Sequence, residues 1–357
     1  MFSNLKPLFH NVPAGTPIII AGPCSAESRE LTIDAARRLK ETGIHCFRAG
    51  VWKPRTKPGG FEGIGDPALA WLAEVKQSLD MPVATEVANA RHAALAVEAG
   101  IDLLWIGART TANPFAVQEI ADYLATLPAE KLDALAVIVK NPVNPDLELW
   151  TGALQRIYGA GIRRLGAVHR GFSAYGPHIY RNPPEWRIPF ELKRRCPELP
   201  LICDPSHIGG RRDLIEPLAR QALEMNMDGL IVECHCRPDE ALSDAAQQIT
   251  PQTFAEILSR LRKPGGNVVD AGLDTLRESI DNIDTRILEL LARRMEVAEE
   301  IGRLKKQHDI PVVQPDRYTR LLTKRVADAR TLGLDEHFIQ KILALIHEES
   351  VRRQLSL

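Results

Sequence analysis

Residues able to bind a metal ion, an anion or a proton follow short apolar segments throughout the first two thirds of the sequence. They are Cys24, Arg48, Lys53, Arg55, Glu86, Arg109, Lys140, His169, Arg170, Asp204, His207, Glu233 and Asp244. Four of them could form a mixed metal site: Cys24, His207, Glu233 and Asp244. Because this set offers one sulfur, one nitrogen and two carboxylate groups, it suits a divalent ion such as Mn, Fe, Co or Zn.

The cations in this series exceed what one carboxylate needs. They are Arg48, Lys53, Arg55, Arg109, Lys140 and Arg170. A single loop charge is usually solvated, but cations that converge on one mouth repel each other unless they bind anions. The set therefore predicts two phosphorylated substrates, or a phosphate and a carboxylate on each side. The sequence has no Walker-type or G-x-G-x-x-G loop, so nucleotide binding is not expected.

The segment LIVECHCRPDEALSD at 230–244 begins as a buried strand and then turns polar. By two-residue alternation, Glu233 and His235 share one face, and Cys234 and Cys236 share the other. The two cysteines are predicted to pack as small hydrophobic residues. Two acids and an imidazole at the end of such a strand indicate a metal or a cationic substrate.

Short apolar runs alternate with longer amphipathic stretches. The predicted strands are 18–21, 46–49, 83–85, 103–106, 136–139, 164–168, 201–203 and 230–232. The predicted helices include 31–41, 67–77, 90–98, 115–124, 147–158, 211–225 and 251–261. This rhythm predicts a (β/α)8 TIM barrel over residues 1–262, with a doubly wound sheet as the alternative. A barrel places the residues above together, because its site lies where the strands end.

The composition is that of an ordinary globular protein, with 45% hydrophobic and 25% charged residues. A net charge of −1 gives no reason to expect nucleic acid as a partner. No apolar run is long enough to span a bilayer, and the six cysteines lack a disulfide-framework spacing. We therefore expect a cytoplasmic protein without membrane contact.

A Pro- and Gly-containing segment, 263–272, is predicted to link the barrel to a small all-α domain at 273–357. Apolar residues at helical spacing predict a helix of about thirty residues. They are Leu276, Ile280, Ile283, Ile287, Leu290, Val297, Ile301 and Leu304. The spacing calls for an apolar residue at 294, where the sequence has arginine. Two further helices are predicted at about 316–329 and 335–354.

Arg294 and Lys305 are separated by roughly 16 Å along this helix, so both could bind one small dianion. Arg277 is about 25 Å before Arg294 and cannot reach the same ligand from the same helix. A second chain running antiparallel could supply it. The spacing thus favours a homodimer with shared sites, although a lone charge in a seam often only sets register.

Six motifs of the barrel resemble those of 3-deoxy-D-arabino-heptulosonate 7-phosphate (DAHP) synthases of the type Iβ branch. They are GPCSAES (22–28), FRAGVWKPRT (47–56), IGART (106–110), VHRGF (168–172), DPSH (204–207) and VECH…ALSD (232–244). The resemblance implies metal-dependent condensation of phosphoenolpyruvate with erythrose 4-phosphate, the first step of the shikimate pathway.

The resemblance also implies roles for residues of this chain. The metal ligands would be Cys24, His207, Glu233 and Asp244. Phosphoenolpyruvate would be held by Arg48, Lys53, Arg109, Lys140 and Arg170, with Glu86 nearby, and erythrose 4-phosphate by Arg55 and Thr56. Lys53 could instead act as a general acid, and His169 as a proton shuttle or merely as a wall of the pocket. The Lys-Pro-Arg-Thr motif differs from the Ala-Asn-Arg-Ser usual in related octulosonate phosphate synthases.

The carboxyl-terminal domain resembles the all-helical chorismate mutases, which need no cofactor to convert chorismate to prephenate. The resemblance is carried by LRESIDNIDTRILELLARR (276–294), Lys305, PDR (315–317) and EESVRRQ (348–354). It implies a site formed by Arg277 of the partner chain with Arg294, Lys305, Arg317, Ser350 and Gln354. Gln314 and Tyr318 stand where the family often has acids, a change that bears on mutase efficiency.

Three interpretations of the whole chain follow. The first is a bifunctional transferase and isomerase of aromatic amino acid biosynthesis, with feedback on the barrel through the helical domain. That feedback is suggested by the short stretch preceding the barrel, which leaves no room for an amino-terminal regulatory domain. In the second, the helical domain only senses a ligand and dimerises. In the third, the barrel is an aldolase-type enzyme acting on another sugar phosphate.

Overall fold

The computed structural model of the chain describes two compact units, Met1–Gly265 and Gly266–Leu357. The described residues are 1–10, 12–13, 15–53, 59–176, 178–261 and 271–357. Arg55, Thr56 and most of the predicted linker lie outside them. Among the described residues, no helix is long and apolar enough to cross a membrane.

Across the described part of the amino-terminal unit, eight parallel strands form a closed barrel in chain order. They are β1 (Ile18–Gly22), β2 (Cys46–Arg48), β3 (Val83–Val87), β4 (Leu103–Ile106), β5 (Ala136–Lys140), β6 (Arg164–His169), β7 (Leu201–Cys203) and β8 (Gly229–Glu233). The barrel closes because Ile20 of β1 pairs with Cys46 on one side and with Ile231 on the other. The predicted fold class is confirmed, and the doubly wound sheet is excluded.

Helices join and surround the strands. They are α1 (Arg29–Lys40), α2 (Ala68–Leu79), α3 (Ala90–Glu98), α4 (Ala108–Thr111), α5 (Pro114–Ala125), α6 (Ala129–Ala134), α7 (Leu147–Gly159), α8 (Arg187–Arg195), α9 (Pro205–Gly209), α10 (Ile215–Glu224) and α11 (Pro251–Arg260). Short 3-10 turns span Arg212–Leu214, Pro238–Glu240 and Ala245–Gln247. Helix α8 was not among the predicted helices; it is nine residues long and buries only Pro189 and Leu192.

Alternation along the strands decides which side chains reach the barrel interior. The interior cluster includes Ile20, Cys46, Ala84, Trp105, Ile138, Val168, Ile202 and Ile231. Because side chains two positions apart share a face, the next inward residues are Arg48, Glu86, Lys140, Arg170, Asp204 and Glu233. The strands therefore direct these charged groups into the carboxyl-end mouth. Leu8 and Phe9 join the same interior cluster.

The carboxyl-terminal unit contains three helices within the described residues: α12 (Ala271–Gln307), α13 (Pro315–Thr331) and α14 (Glu336–Leu355). Helix α14 packs against both of the others. Between α13 and α14, Gly333 adopts a φ of 73°, and the Asp335 side chain caps α14 by accepting from the Phe338 amide. This turn and cap separate the two helices predicted at about 316–329 and 335–354.

The side chains of α12 over residues 276–290 are exposed. They include apolar residues of the predicted seam. Ile280 and Ile283 are 57% and 56% exposed, respectively. Exposure of so many branched apolar side chains along one helix is typical of a surface that another helix covers.

Candidate active sites

A cluster of side chains that could bind a metal ion lies at the mouth of the barrel. Within the described residues, ligand atoms of Cys24, Glu233 and Asp244 all lie within 4.8 Å of one another. Pairing of Gly22 with Glu233 brings the segment after β1 beside the end of β8. Asp244 follows in the loop after β8, and its carboxylate accepts a hydrogen bond from the Cys24 thiol at 3.3 Å.

His207, in helix α9, lies beside this cluster. Its Nε2 lies 3.8 Å from Glu233 Oε1, while its Nδ1 lies 2.8 Å from Asp204 Oδ2. Asp204 also accepts from Lys140 Nζ at 2.7 Å. A proton on Nδ1, beside the Asp204 carboxylate, would leave the Nε2 lone pair on the Glu233 side. The sequence placed Asp204 at a strand end without assigning it this orienting role.

The donor set fits a divalent metal ion. Burial, opposed by Asp204 and Glu233, lowers the pKa of His207, which favours the neutral, ligating imidazole. Burial, followed by the charge of Glu233, raises the pKa of the Cys24 thiol to about 12. A thiol of this kind becomes a thiolate when a cation coordinates it. The set can therefore hold a metal that accepts sulfur, nitrogen and oxygen ligands.

His235 does not join the cluster, although the alternation predicted it on the same face as Glu233. Its Nε2 lies 3.6 Å from Glu27, and its Nδ1 accepts from the Arg237 amide at 3.0 Å. The strand ends at Glu233, so the two-residue period no longer applies at His235. Cys234 is buried in the core, as expected for a small hydrophobic residue.

Arg48 holds Glu233 in place. The guanidinium is buried, donates from Nη1 to Glu233 Oε1 at 2.9 Å, and lies 4.5 Å from the Trp105 ring centroid. Gln247 donates to the other Glu233 oxygen at 2.7 Å. Burial opposes ionisation of Glu233, but its neighbours His207, Arg48 and Lys53 lower its pKa to about 2. The carboxylate is therefore charged at neutral pH.

Two other predicted cations, Lys53 and Arg170, also have contacts at the mouth. Lys53 Nζ donates to Cys24 Sγ at 2.8 Å. Arg170 donates to the neutral Asn182 side chain at 2.7 Å, and burial lowers its pKa to about 10, with further lowering by Arg181 and Arg109. Arg109, in α4, is thus near enough to Arg170 to act on its charge. An excess of positive charge persists at this side of the mouth.

Three polar residues of the mouth were not predicted. Arg181 donates to Asp244 Oδ1 at 3.0 Å and to Gln247 Oε1 at 2.6 Å. Asn141 accepts from the Arg170 amide at 2.7 Å, and Asn182 bonds the Arg170 side chain. Arg181 and Asn182 lie in the loop after β6, far from a strand end. Asn182 is uncharged and Arg181 is a single charge in a loop, so no sequence pattern identified either as a site residue.

Glu86 lies at the end of β3, and Trp105 Nε1 donates to its Oε2 at 3.0 Å. A Cβ at Gly107 would lie 2.1 Å from the other carboxylate oxygen, so glycine is required for Glu86 to occupy this place. Glu86 therefore faces the interior beside Trp105.

His169 lies outside the barrel wall, a position that does not suit the proton-shuttle role predicted for it. It alternates with Val168, which faces the interior, and its ring centroid is 5.1 Å from Trp186 and 5.7 Å from Phe172. Burial lowers its pKa to about 3. Its place at a strand end suggested a catalytic role. Because side chains alternate along a strand, however, His169 faces the layer between the strands and the helices.

The depressed pKa of His169 predicts acid sensitivity of the barrel. Its folded pKa is below the unfolded value of about 6.5, so stability is lost as pH falls from there towards 3. Between pH 7 and 4.5, the unfolding free energy of His169→Phe is expected to fall by about 2 to 3 kcal/mol less than that of the wild type. Urea unfolding followed by tryptophan fluorescence tests this, because all five tryptophans, of which Trp186 is the last, lie in the amino-terminal unit. Equal losses in both proteins would contradict it.

A second cleft, of about 330 Å³, lies within the helical unit. Its lining includes five predicted residues: Arg294, Lys305, Arg317, Ser350 and Gln354. Arg294 Nη1 donates to Ser350 Oγ at 2.6 Å, and Lys305 Nζ donates to the Val312 carbonyl at 2.7 Å. Partial burial lowers the pKa of Arg294. Three cations around a partly apolar cleft suit a small dianion.

The structure also places Arg277 and the two residues that depart from the family pattern, Gln314 and Tyr318, relative to this cleft. Arg277 is not part of its lining and lies on the exposed half of α12. Gln314 and Tyr318 do line it, together with His347. The Tyr318 and His347 rings stack with centroids 4.0 Å apart. No pattern in the sequence pointed to His347, because a lone histidine on a helix is usually a packing or surface residue.

Both units match known protein families. Residues 13–265 match the model of the DAHP synthetase I family, and residues 276–355 match the model of chorismate mutase type II. These ranges correspond to the barrel with its metal-binding cluster and to the helices with their cationic cleft.

Curated relatives and solved structures resemble the barrel. Phospho-2-dehydro-3-deoxyheptonate aldolase of Thermotoga maritima is 32% identical over 245 residues, 69% of this chain and 69% of that protein. A crystal structure of DAHP synthase from Thermotoga maritima has a TM-score of 0.63 at 30% identity, covering 72% of this chain and 71% of that one. 2-Dehydro-3-deoxyphosphooctonate aldolase of Rhodopseudomonas palustris is 29% identical over 279 residues, 70% of this chain and 91% of that protein.

Proposed function

Since the chain belongs to the DAHP synthetase I family and carries a carboxyl-terminal chorismate mutase domain, we propose that one polypeptide performs both reactions through the residues described above. The barrel condenses phosphoenolpyruvate with erythrose 4-phosphate, and the helices rearrange chorismate to prephenate. The cluster of Cys24, Glu233 and Asp244 within 4.8 Å beside a mouth lined with cations carries the proposal for the barrel. We assign residues 1–262 to the synthase, 263–272 to a linker and 273–357 to the mutase.

Cys24, His207, Glu233 and Asp244 would hold one divalent ion. When bound, such an ion polarises a carbonyl oxygen and so makes the aldehyde carbon more electrophilic. Asp204 would keep His207 in the ligating tautomer, and Arg48 would fix the Glu233 carboxylate. Both orienting contacts exist in the described structure, which supports this assignment.

The cations of the mouth would bind and orient phosphoenolpyruvate. Arg109 and Arg170 suit its phosphate, because Arg170 has only a neutral side-chain partner among its hydrogen bonds in the described residues and a lowered pKa. Lys140 suits its carboxylate, and Lys53 would hold a proton for the alkoxide that develops on the aldehyde oxygen. Arg55 and Thr56, outside the described residues, are proposed to bind the aldose phosphate.

Removal of divalent metal separates the two activities. We expect EDTA to lower DAHP formation at least about 100-fold, because the reaction in the barrel needs a bound metal ion. Chorismate loss should be unchanged, because the helical site needs none. Rates of both reactions would be measured on the same sample, and Mn²⁺, Fe²⁺, Co²⁺ or Zn²⁺ would then be added back. Full synthase activity in EDTA would refute the metal requirement, and loss of both activities would refute the assignment to one unit.

The aldehyde distinguishes two barrel functions. Relatives named 2-dehydro-3-deoxyphosphooctonate aldolase favour a longer sugar phosphate, whereas the 32% identical relative and the Lys-Pro-Arg-Thr motif favour erythrose 4-phosphate. Comparing kcat/KM for erythrose 4-phosphate and arabinose 5-phosphate decides between them. Preference for arabinose 5-phosphate would overturn the proposal.

In the helical domain, the cleft would stabilise a compact, polarised conformer of chorismate without a cofactor. Arg294 and Arg317 would bind its carboxylates, and Lys305 and Gln354 would donate to the ether oxygen, where negative charge develops as the bond breaks. Ser350 fixes Arg294 through their hydrogen bond. Gln314 retains an oxygen that can accept from the substrate hydroxyl.

We propose that the helical domain acts as a homodimer in which Arg277 enters the partner's cleft. The exposed apolar seam over 276–290 needs a partner, and Arg277 lies on that same half of α12. In an antiparallel pair related by a two-fold axis, each seam covers the other and each Arg277 reaches the partner's site.

Complementation between inactive variants tests the shared site. Arg277→Ala and Arg294→Ala are each expected to lack mutase activity, whereas a refolded equimolar mixture should recover about a quarter of the wild-type rate. Half of the dimers are then mixed, and one of their two sites has both arginines. Absence of any recovery would show that both residues serve the same chain.

We further propose that chorismate or prephenate bound to the helices lowers synthase activity. The alternative, a helical domain that only senses ligand and dimerises, predicts the same inhibition without mutase turnover. Synthase rates with and without saturating prephenate test the control. Equal rates would refute it, whatever the mutase does.

A further inference from the structure

An aromatic pair lies beside the mouth of the barrel, next to Lys53. The rings of Trp52 and His92 stack with centroids 3.9 Å apart and planes inclined by only 2°. Trp52 Nε1 donates to Asp66 Oδ1 at 3.1 Å, and the other Asp66 oxygen pairs with Arg91. His92 and Arg91 belong to the first turn of α3, so two contacts connect the residue before Lys53 to this helix.

The backbone on either side of Trp52 is also held. The Lys53 amide donates to the Glu62 carbonyl at 2.8 Å, and the Gly65 amide donates to the Val51 carbonyl at 2.9 Å. Gly63 has a φ of 94°, and a Cβ there would lie 2.2 Å from the Val51 carbonyl oxygen. These contacts hold the backbone at 51–53 against the backbone at 62–65, and the Trp52 side chain connects this backbone to α3.

We propose that Trp52 and His92 are positioning residues that hold the Lys53 ammonium at the metal-binding cluster, and this rests on the proposed synthase function. Lys53 contacts Cys24 Sγ at 2.8 Å through a flexible four-carbon stem, so its reach depends on where its Cα is fixed. A displacement of about 1 Å can reduce catalysis about 100-fold. The stack fixes the neighbouring residue without touching substrate.

The charges around His92 fit this positioning role. Burial and Arg91 lower its pKa, while Asp66 and Glu86 raise it. With the net direction downward, the imidazole is neutral at pH 7 and presents a flat uncharged face to the indole. A planar hydrocarbon ring can therefore replace it.

A double-mutant cycle on the full chain tests whether His92 acts through Lys53. We expect His92→Ala to lower synthase kcat/KM about tenfold in the wild type and less than twofold in the Lys53→Ala background. His92→Phe, which keeps a flat ring, should remain within twofold of the wild type. A tenfold loss in both backgrounds, or equal losses from His92→Ala and His92→Phe, would overturn the proposal.

His45 provides a matched control. It is a half-buried histidine whose Nδ1 accepts from the Ile19 amide at 2.9 Å, just before β2 and away from the mouth. His45→Ala should leave kcat/KM within twofold, and a tenfold loss there would show that the assay reports general destabilisation. Absence of synthase activity in the wild type would instead refute the proposed function itself.

Discussion

Replacing Arg294 by alanine is expected to lower mutase kcat/KM by about 10³ and to leave DAHP formation unchanged. The guanidinium lines the cleft, is partly buried and bonds Ser350 at 2.6 Å. Removing one preorganised donor from a site that stabilises developing charge costs about 10² to 10³ in rate, and a charged donor falls at the upper end. Chorismate loss in EDTA measures this, because the chelator leaves only the helical site active.

Arg293 is the matched control for this prediction. It is the adjacent arginine of α12 and is exposed, so Arg293→Ala removes the same charge without reaching the cleft. Its mutase rate should stay within twofold of the wild type. Full activity in Arg294→Ala would make that residue a register-setting charge of the seam. No turnover in the wild type would leave the helices as a sensing or dimerisation unit and would attribute the loss to Gln314 and Tyr318.

Replacing Glu233 by glutamine is expected to reduce synthase activity by at least about 10³ and to destabilise the barrel. Glu233 is both a proposed metal ligand and the buried partner of Arg48. Removing one member of a buried ion pair leaves an uncompensated charge and costs about 3 to 5 kcal/mol. Tryptophan fluorescence during urea unfolding measures the stability, and calorimetric titration of the apoprotein measures metal affinity.

The control is Glu74→Gln, which neutralises a carboxylate that pairs with Arg29 at the surface. Exposed ion pairs contribute little to stability, so the free energy of unfolding should change by less than about 1 kcal/mol. Both enzyme activities should stay close to those of the wild type. If Glu233→Gln binds metal with wild-type affinity, the carboxylate is not a ligand. Unchanged mutase activity in Glu233→Gln is also expected, since the substitution lies in the other unit.

Much of the barrel site could be predicted because strand residues alternate regularly. Arg48, Lys140, Asp204 and Glu233 follow strand interiors in phase, so their convergence requires no knowledge of loop structure. His169 shows the limit of counting strand ends alone, since it is one residue out of phase with the mouth. His235 shows a second limit, because alternation has no meaning once the strand has ended.

Contacts made by loops and between helices were not available from the sequence. Arg181 reaches Asp244 from a loop whose path no local pattern determines. Trp52 and His92 stack across forty residues of chain, and neither position is periodic. In the helical unit, Arg294 was found because it interrupts an apolar seam, whereas His347 interrupts nothing. Local periodicity therefore predicts which elements form, but pairwise contacts between irregular segments depend on the completed fold.

The exposed apolar stretch of α12 over residues 276–290 makes protein concentration a variable of function. An isolated helical segment of this length is only marginally stable in water, so its order is expected to depend on association. Dilution would then dissociate the helices, remove Arg277 from each partner cleft and reduce mutase specific activity. The barrel closes on itself and contains its own cluster of ligands. The two reactions of one polypeptide would thus differ in kinetic order with respect to enzyme, with the condensation first-order and the rearrangement approaching second-order at low concentration.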